Sequence, residues 1–127
     1  FFLLELSTPR NRGINADERL GPVAGNLLKR MSSIKQYQTI SDCSSQTISN
    51  VIEKTDPARL TVILITVNGF RHEGYLPALR QLKKAGTVIH ISLMDDRDIS
   101  GELDNEWVTW GYNDWTSAAL AEELESL

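Results

Sequence analysis

The chain predicts an α/β domain, a three-layer sandwich around a mostly parallel sheet of about five strands. Two apolar runs, LTVILITV at residues 60–67 and TVIHISL at residues 87–93, are rich in β-branched side chains. Strands of this kind need cover on both faces, which a parallel sheet with crossover helices supplies. Between the two runs lie a loop and an amphipathic helix closed by Gly86. Strand-like and helix-like segments also alternate along the whole chain, the pattern of a parallel α/β sheet.

Phe1–Leu6 reads as a first buried strand, stopped by Ser7-Thr8-Pro9. Arg10–Asn15 is polar and contains glycine, a loop at that strand's carboxyl end. Leu20, Val23, Ala24, Leu27, Leu28 and Met31 then recur at helical spacing. Asn15 or Asp17 can cap this helix, and Pro22 is tolerated only in its first turn. Tyr37–Ile40 is a short second strand. Ser41–Ser45 carries capping chemistry ahead of a helix with Ile48, Val51 and Ile52 inward, stopped by Asp56-Pro57. Leu60–Val67 is the third strand, Tyr75–Ala85 the third helix with Leu76, Leu79 and Leu82 inward, and Thr87–Leu93 the fourth strand. After the acidic run Asp95–Asp98, a short element at Ile99–Leu103 leads to a fifth strand at Trp107–Trp110. Ser117–Leu127 reads as a last helix with Leu120, Leu124 and Leu127 on one face.

Residues 1–127 make one domain, large enough to bury a core without staples. The net charge of −4 gives a field that disfavours nonspecific binding to a phosphate backbone. Cys43 is the only cysteine, so no internal disulfide forms, and a reducing, intracellular setting is expected, cytoplasmic or nuclear. The apolar opening Phe1–Leu4 is too short for a signal peptide or membrane span, and no membrane partner is expected. A chain that opens on strand residues is expected to be one domain of a longer protein. No GxGxxG follows the first strand and no GxxxxGK[ST] occurs, so the cradles for a dinucleotide or a P-loop phosphate are missing.

In a parallel sheet, ligands and catalytic groups sit just beyond the carboxyl ends of the strands. At the end of the third strand stand Val67, Asn68 and Gly69, where an active nuclease or hydrolase would place a carboxylate. Leu3-Leu4-Glu5-Leu6-Ser7-Thr8-Pro9 resembles the opening strand of NYN domains, a branch of the PIN-like ribonucleases, with Glu5 in place of the first metal-binding Asp. Asp42, Cys43 and Ser44 occupy the neighbourhood of a second acid. Leu64-Ile65-Thr66 through Gly74-Tyr75-Leu76-Pro77 to Gly86 is similar to the family's strand–loop–helix signature, with about three residues inserted after Asn68. Ile99–Trp107 resembles its later Ser- and Asp-bearing element. Glu5-Leu6-Ser7-Thr8-Pro9 and Asn68-Gly69 also resemble worn metal-site motifs of a von Willebrand factor A domain.

The NYN/PIN resemblance implies carboxylates converging on Mg²⁺ or Mn²⁺, which activates water and neutralises charge on the phosphate. The candidate catalytic residues are Glu5, Asp42, Asn68, Glu73 and Asp96, with Glu5, Asp42 and Asp96 as metal ligands; Asp95 and Asp98 are further carboxylates past the fourth strand. Asn68 for Asp removes a charge, and Glu5 for Asp displaces a ligand by a methylene, an error to which catalysis is sensitive at the scale of ~1 Å. The resulting expectation is a degenerate domain with no cofactor; the alternative is an active Mg²⁺- or Mn²⁺-dependent ribonuclease for single-stranded RNA. A degenerate von Willebrand factor A domain acting in adhesion or assembly is the third reading.

Each candidate also has an ordinary structural reading. Glu5 can end a strand at the solvent rim, Asp42 can be a helix N-cap, and Asp95–Asp98 can be a charged loop. His72 and Glu73 lie in a polar loop, and His90 reads as a partnered core or edge histidine. Trp107, Trp110, Tyr112 and Trp115 crowd into nine positions, too many aromatics to bury completely, and they form the candidate partner surface. Another protein or a second copy is the expected partner. RNA is the competing one, with Arg10, Arg12 and Arg19 as the candidate phosphate contacts.

Overall fold

The computed structural model describes residues 1–6, 21–55, 60–110 and 114–127. Its elements are β1 (Phe2–Leu6), α1 (Pro22–Arg30), β2 (Gln36–Ile40), α2 (Ser45–Lys54), β3 (Val62–Thr66), α3 (Tyr75–Ala85), β4 (Val88–Leu93), β5 (Asn105–Thr109) and α4 (Asp114–Glu125), with 3-10 turns at Gly69–Arg71 and Asp96–Asp98. The five strands form one sheet in the order β2-β1-β3-β4-β5. Every pairing among them is parallel. The α/β fold expected from the alternating pattern is the one the chain adopts.

Side-chain alternation divides the core into two layers. Phe2, Leu4 and Leu6 of β1 with Val62 and Leu64 of β3 face Ile48 and Val51 of α2 and Leu79 and Leu82 of α3. Leu3, Ile63, Ile65, Ile89 and Ile91 point the other way, against Val23 and Leu27 of α1 and Leu120 and Leu124 of α4. The continuous apolar runs of β3 and β4 follow from burial on both faces, and each fully buried leucine or isoleucine contributes about 2 kcal/mol. Winding from β1 to β2 runs one way and from β2 to β3 the other, so right-handed crossovers put α1 and α2 on opposite faces. That reversal makes a switch point at the carboxyl ends of β1 and β3.

The differences from the expected elements are local. Gly21, not Asn15 or Asp17, is the N-cap of α1; those two lie outside the described residues, and Pro22 opens the helix as its fixed φ requires. α3 turns Tyr75, Ala78, Leu79 and Leu82 inward, whereas Leu76 is 43% exposed. Leu127 is 66% exposed, beyond the end of α4 at Glu125. No regular element forms at Ile99–Leu103; the local helix is the Asp96–Asp98 turn, where Asp95 caps by accepting from Arg97 N–H. β5 starts at Asn105, two residues before Trp107. The stop at Asp56-Pro57 lies outside the described residues.

Candidate functional site

The sheet carries two sets of polar side chains, one toward β2 and one toward β5, and they are organised differently. At β1 and β2 the acids serve helix N-termini. Glu5 is buried in the strand, and both its oxygens accept from Gly21 N–H, at 2.9 and 3.1 Å, where α1 begins. A helix N-terminus favours a negative group, so Glu5 has a structural partner for its charge. The fit is close: a Cβ at Gly21 would lie 2.8 Å from Glu5 Oε2. Asp42 Oδ1 accepts from Ser44 N–H at 2.9 Å and from Thr47 Oγ1 at 2.7 Å, while Ser44 caps α2 by accepting from Thr47 N–H. The Thr47 and Ser44 hydroxyls and the Ser44 N–H hold the Asp42 carboxyl below the ordinary aspartate value.

Asn68, in the left-handed region at φ 54°, begins the Gly69–Arg71 turn without a side-chain cap bond. Glu73 is exposed, and together with Asp42, Cys43 and His72 it lines an open groove of about 680 Å³ at the N-termini of α2 and α3. Of the expected set, only Asp42 and Glu73 share that groove. Asp96 is exposed on its turn. Among the described residues no three His, Cys, Asp or Glu side chains are placed to hold a metal ion together. Cys43 is buried, and burial pushes its thiol up to about 11, which leaves no thiolate for nucleophilic work.

The second set spans the end of β3, the middle of β4 and the start of β5, on the α3 side of the sheet, and it was not anticipated as a unit. Register places His90 opposite Glu106 and Thr66 opposite Ser92. His90 Nδ1 lies 2.8 Å from Glu106 Oε2, and His90 Nε2 lies 2.8 Å from Thr66 Oγ1 and 3.2 Å from Tyr75 Oη. Thr66 Oγ1 donates to Asp98 Oδ2 at 2.7 Å, Phe70 N–H donates to Asp98 Oδ1 at 3.0 Å, and Tyr75 Oη donates to the Asp98 carbonyl at 2.6 Å. Glu106 also accepts from Ser100 N–H, Ser100 Oγ and Gly101 N–H.

Burial shapes the electrostatics of this cluster. It keeps His90 below the ordinary histidine value, against the opposing pull of Glu106 and Asp98. It also works to raise Glu106, but the Ser100 N–H, His90 and the Ser100 hydroxyl outweigh it and hold that carboxyl low. Tyr75 is raised by burial and then by Asp98. Glu106–His90–Thr66 has the connectivity of a nucleophile, base and orienting carboxylate. It is sealed, however: Thr66, His90, Ser92 and Asp98 have no accessible surface, and the Thr66 proton goes to Asp98. The cluster therefore fastens the β4–β5 connection to the sheet.

The partnered histidine expected at position 90 is what the structure holds. Asp98, read as one acid of a charged loop, is instead buried with four donors, the Thr66, Tyr75 and Ser92 hydroxyls and Phe70 N–H. The available signal was the interruption of apolar runs by Thr66, His90 and Ser92; period 2 puts His90 and Ser92 on one face, and the β3–β4 register adds Thr66 to it. Of the aromatic group, Trp107 is half-buried against the α1/α4 core, whereas Trp110 is 70% and Trp115 84% exposed. Tyr112, Arg10, Arg12 and Arg19 lie outside the described residues. No helix among the described residues is long and apolar enough to cross a membrane. No family model, curated protein or solved structure matches this chain.

Proposed function

We propose that this chain is a catalytically degenerate NYN/PIN-like domain that serves as a protein-interaction module in an RNA-associated protein. The observation that carries the reading is the engagement of Glu5 and Asp42, the acids expected to bind metal, with the first turns of α1 and α2. A carboxylate that satisfies a helix N-terminus supports the fold and is not free to swing onto a cation. The exposed Trp110 and Trp115 support a partner surface, since large aromatics bury much area at little entropic cost when covered. Association with RNA rests on the NYN/PIN resemblance and not on charge.

The endoribonuclease reading, with Glu5, Asp42, Glu73 and Asp96 on Mg²⁺ or Mn²⁺, draws support only from the groove that Asp42 and Glu73 share. The von Willebrand factor A reading calls for an antiparallel edge strand, and the described sheet is parallel throughout. The test is a pair of assays on the purified chain. Single-stranded RNA stays uncleaved in Mg²⁺ or Mn²⁺, and a partner captured from cell extract is lost in the Trp110→Ala/Trp115→Ala double variant. Cleavage abolished by Glu5→Gln overturns the reading, and so does capture indifferent to the two tryptophans.

A further inference from the structure

The two edges of the sheet are finished differently. β5 ends one side, and it turns Glu106 inward onto His90 and the Ser100 and Gly101 N–H groups. An inward charge on an edge strand is one of the devices that stop a further strand from adding. β2 ends the other side, and its sequence, Gln36-Tyr37-Gln38-Thr39-Ile40, holds no charge, proline or glycine. Tyr37 is 57% exposed, and an open groove of about 430 Å³ runs along Tyr37, Gln38 and Thr39 beside Lys54. Lys35 N–H donates to the Phe1 carbonyl at 3.1 Å, so the strand's period of 2 sends the Tyr37 and Thr39 backbone groups toward β1 as well. Gln36 and Gln38 then point their N–H and C=O groups away from the sheet. Among the described residues no strand lies beyond them. Backbone groups set out in this way are matched by an extended chain.

We propose that the outer edge of β2 pairs with β2 of a second copy, antiparallel about a twofold axis at Tyr37, to make one continuous sheet across a dimer. This contact lies at the edge opposite β5 and Trp110 and is separate from the partner surface proposed above. With the axis at Tyr37, Gln36 of each copy stands opposite Gln38 of the other. Their outward groups form a hydrogen-bonded pair that exchanges both N–H···O bonds, and symmetry makes the pair twice. Tyr37 meets Tyr37 in the non-hydrogen-bonded position, where Cα atoms come within about 4.5 Å and aromatic side chains pack closest. Register fixes the faces. Tyr37 pairs with Leu3, on the α1 face, whereas Gln36 and Gln38 pair with Phe2 and Leu4, on the face of α2 and its Lys54. The tyrosine pair is thus clear of Lys54, and the glutamine amides on the other face can accept from it. Charge selects a second copy as the occupant. An uncharged strand brings no like charges opposite one another when it meets itself. Lys35 falls opposite Thr39, and the basic start of each strand runs beside the end that leads to the exposed Asp42 in the other. One short strand pair is a small interface, so the dimer forms reversibly and dissociates on dilution.

Sedimentation of the purified chain over a concentration series is predicted to show a reversible monomer–dimer equilibrium. Gln38→Pro removes the outward N–H at a place where an edge strand accepts proline. It is predicted to weaken the dimer by about tenfold or more, the scale of one or two backbone hydrogen bonds, with circular dichroism unchanged. Trp110→Ala/Trp115→Ala is predicted to leave the dimer intact. A parent that stays monomeric up to its solubility limit overturns the proposal. So does a dimer that is lost with the tryptophans and indifferent to Gln38→Pro. If Gln38→Pro does not fold, cysteine cross-linking decides. Tyr37→Cys, on the axis, brings two sulfur atoms within disulfide range and is predicted to give a covalent dimer on mild oxidation. The parent, whose one cysteine is buried, and Gln38→Cys, which lies off the axis, are predicted to stay uncrosslinked. Equal cross-linking at both positions, or none at Tyr37→Cys, overturns the proposal.

Discussion

Glu5 and Asp42 toward the β2 side of the sheet, and Asp98 and Glu106 toward the β5 side, are the same chemistry put to different use. The first two serve helix N-termini, through Gly21 N–H and through Ser44 and Thr47. The last two are joined through His90 and Thr66 into one sealed network. A carboxylate at a helix start is a local device whose loss is felt by one helix. A carboxylate inside a dry network is answerable to every partner it has, because an unpaired polar group is most costly where water cannot replace the lost bond.

The largest effect is therefore expected at Glu106. Glu106→Ala strands His90 and the backbone N–H groups of Ser100 and Gly101, and a loss of about 3 kcal/mol or more in urea unfolding is expected. A loss under about 1 kcal/mol would erase the contrast between the two ends. Glu5→Ala should cost about 1–2 kcal/mol, the scale of a lost cap in a partly buried setting. Gly21→Ala, whose Cβ would press on Glu5 Oε2, should act in the same direction; a Gly21→Ala variant as stable as the parent would show that the contact is not needed. Ser44→Ala should cost about 1 kcal/mol by the same unfolding measurement.

Asp42 sharpens the comparison through pH. Its carboxyl is held low, so it contributes stability above the unfolded value near 4, and that contribution is lost as pH falls through the folded value. Asp42→Asn should flatten acid unfolding in that window, visible as a smaller difference between pH 5 and pH 3. The smallest expected effect is Trp115→Ala, within about 0.5 kcal/mol in stability since the side chain is open to solvent. Its consequence should be confined to partner binding.

Much of this architecture was legible because it rests on local periodicity. The apolar runs at β3 and β4 and the helix Tyr75–Ala85 need only burial and a terminal glycine to be read. Leu76 misled because an i, i+3 spacing does not reveal where the helix stripe stops. The site was harder to read. Asp95–Asp98 is an ordinary surface run by composition, and only the turn at Asp96–Asp98 brings Asp98 beneath Phe70 N–H and Thr66. Glu5 and Asp42 were visible as acids at strand ends, but their partners, Gly21 and Thr47, declare themselves only once α1 and α2 are in place.

Calorimetric titration of Mn²⁺ into the purified chain and its Glu5→Gln variant is the most direct test of whether these acids belong to helices rather than to a metal. The account predicts no saturable heat in either protein. Stoichiometric binding in the parent that disappears in Glu5→Gln would contradict it and return Glu5 to the role of a metal ligand.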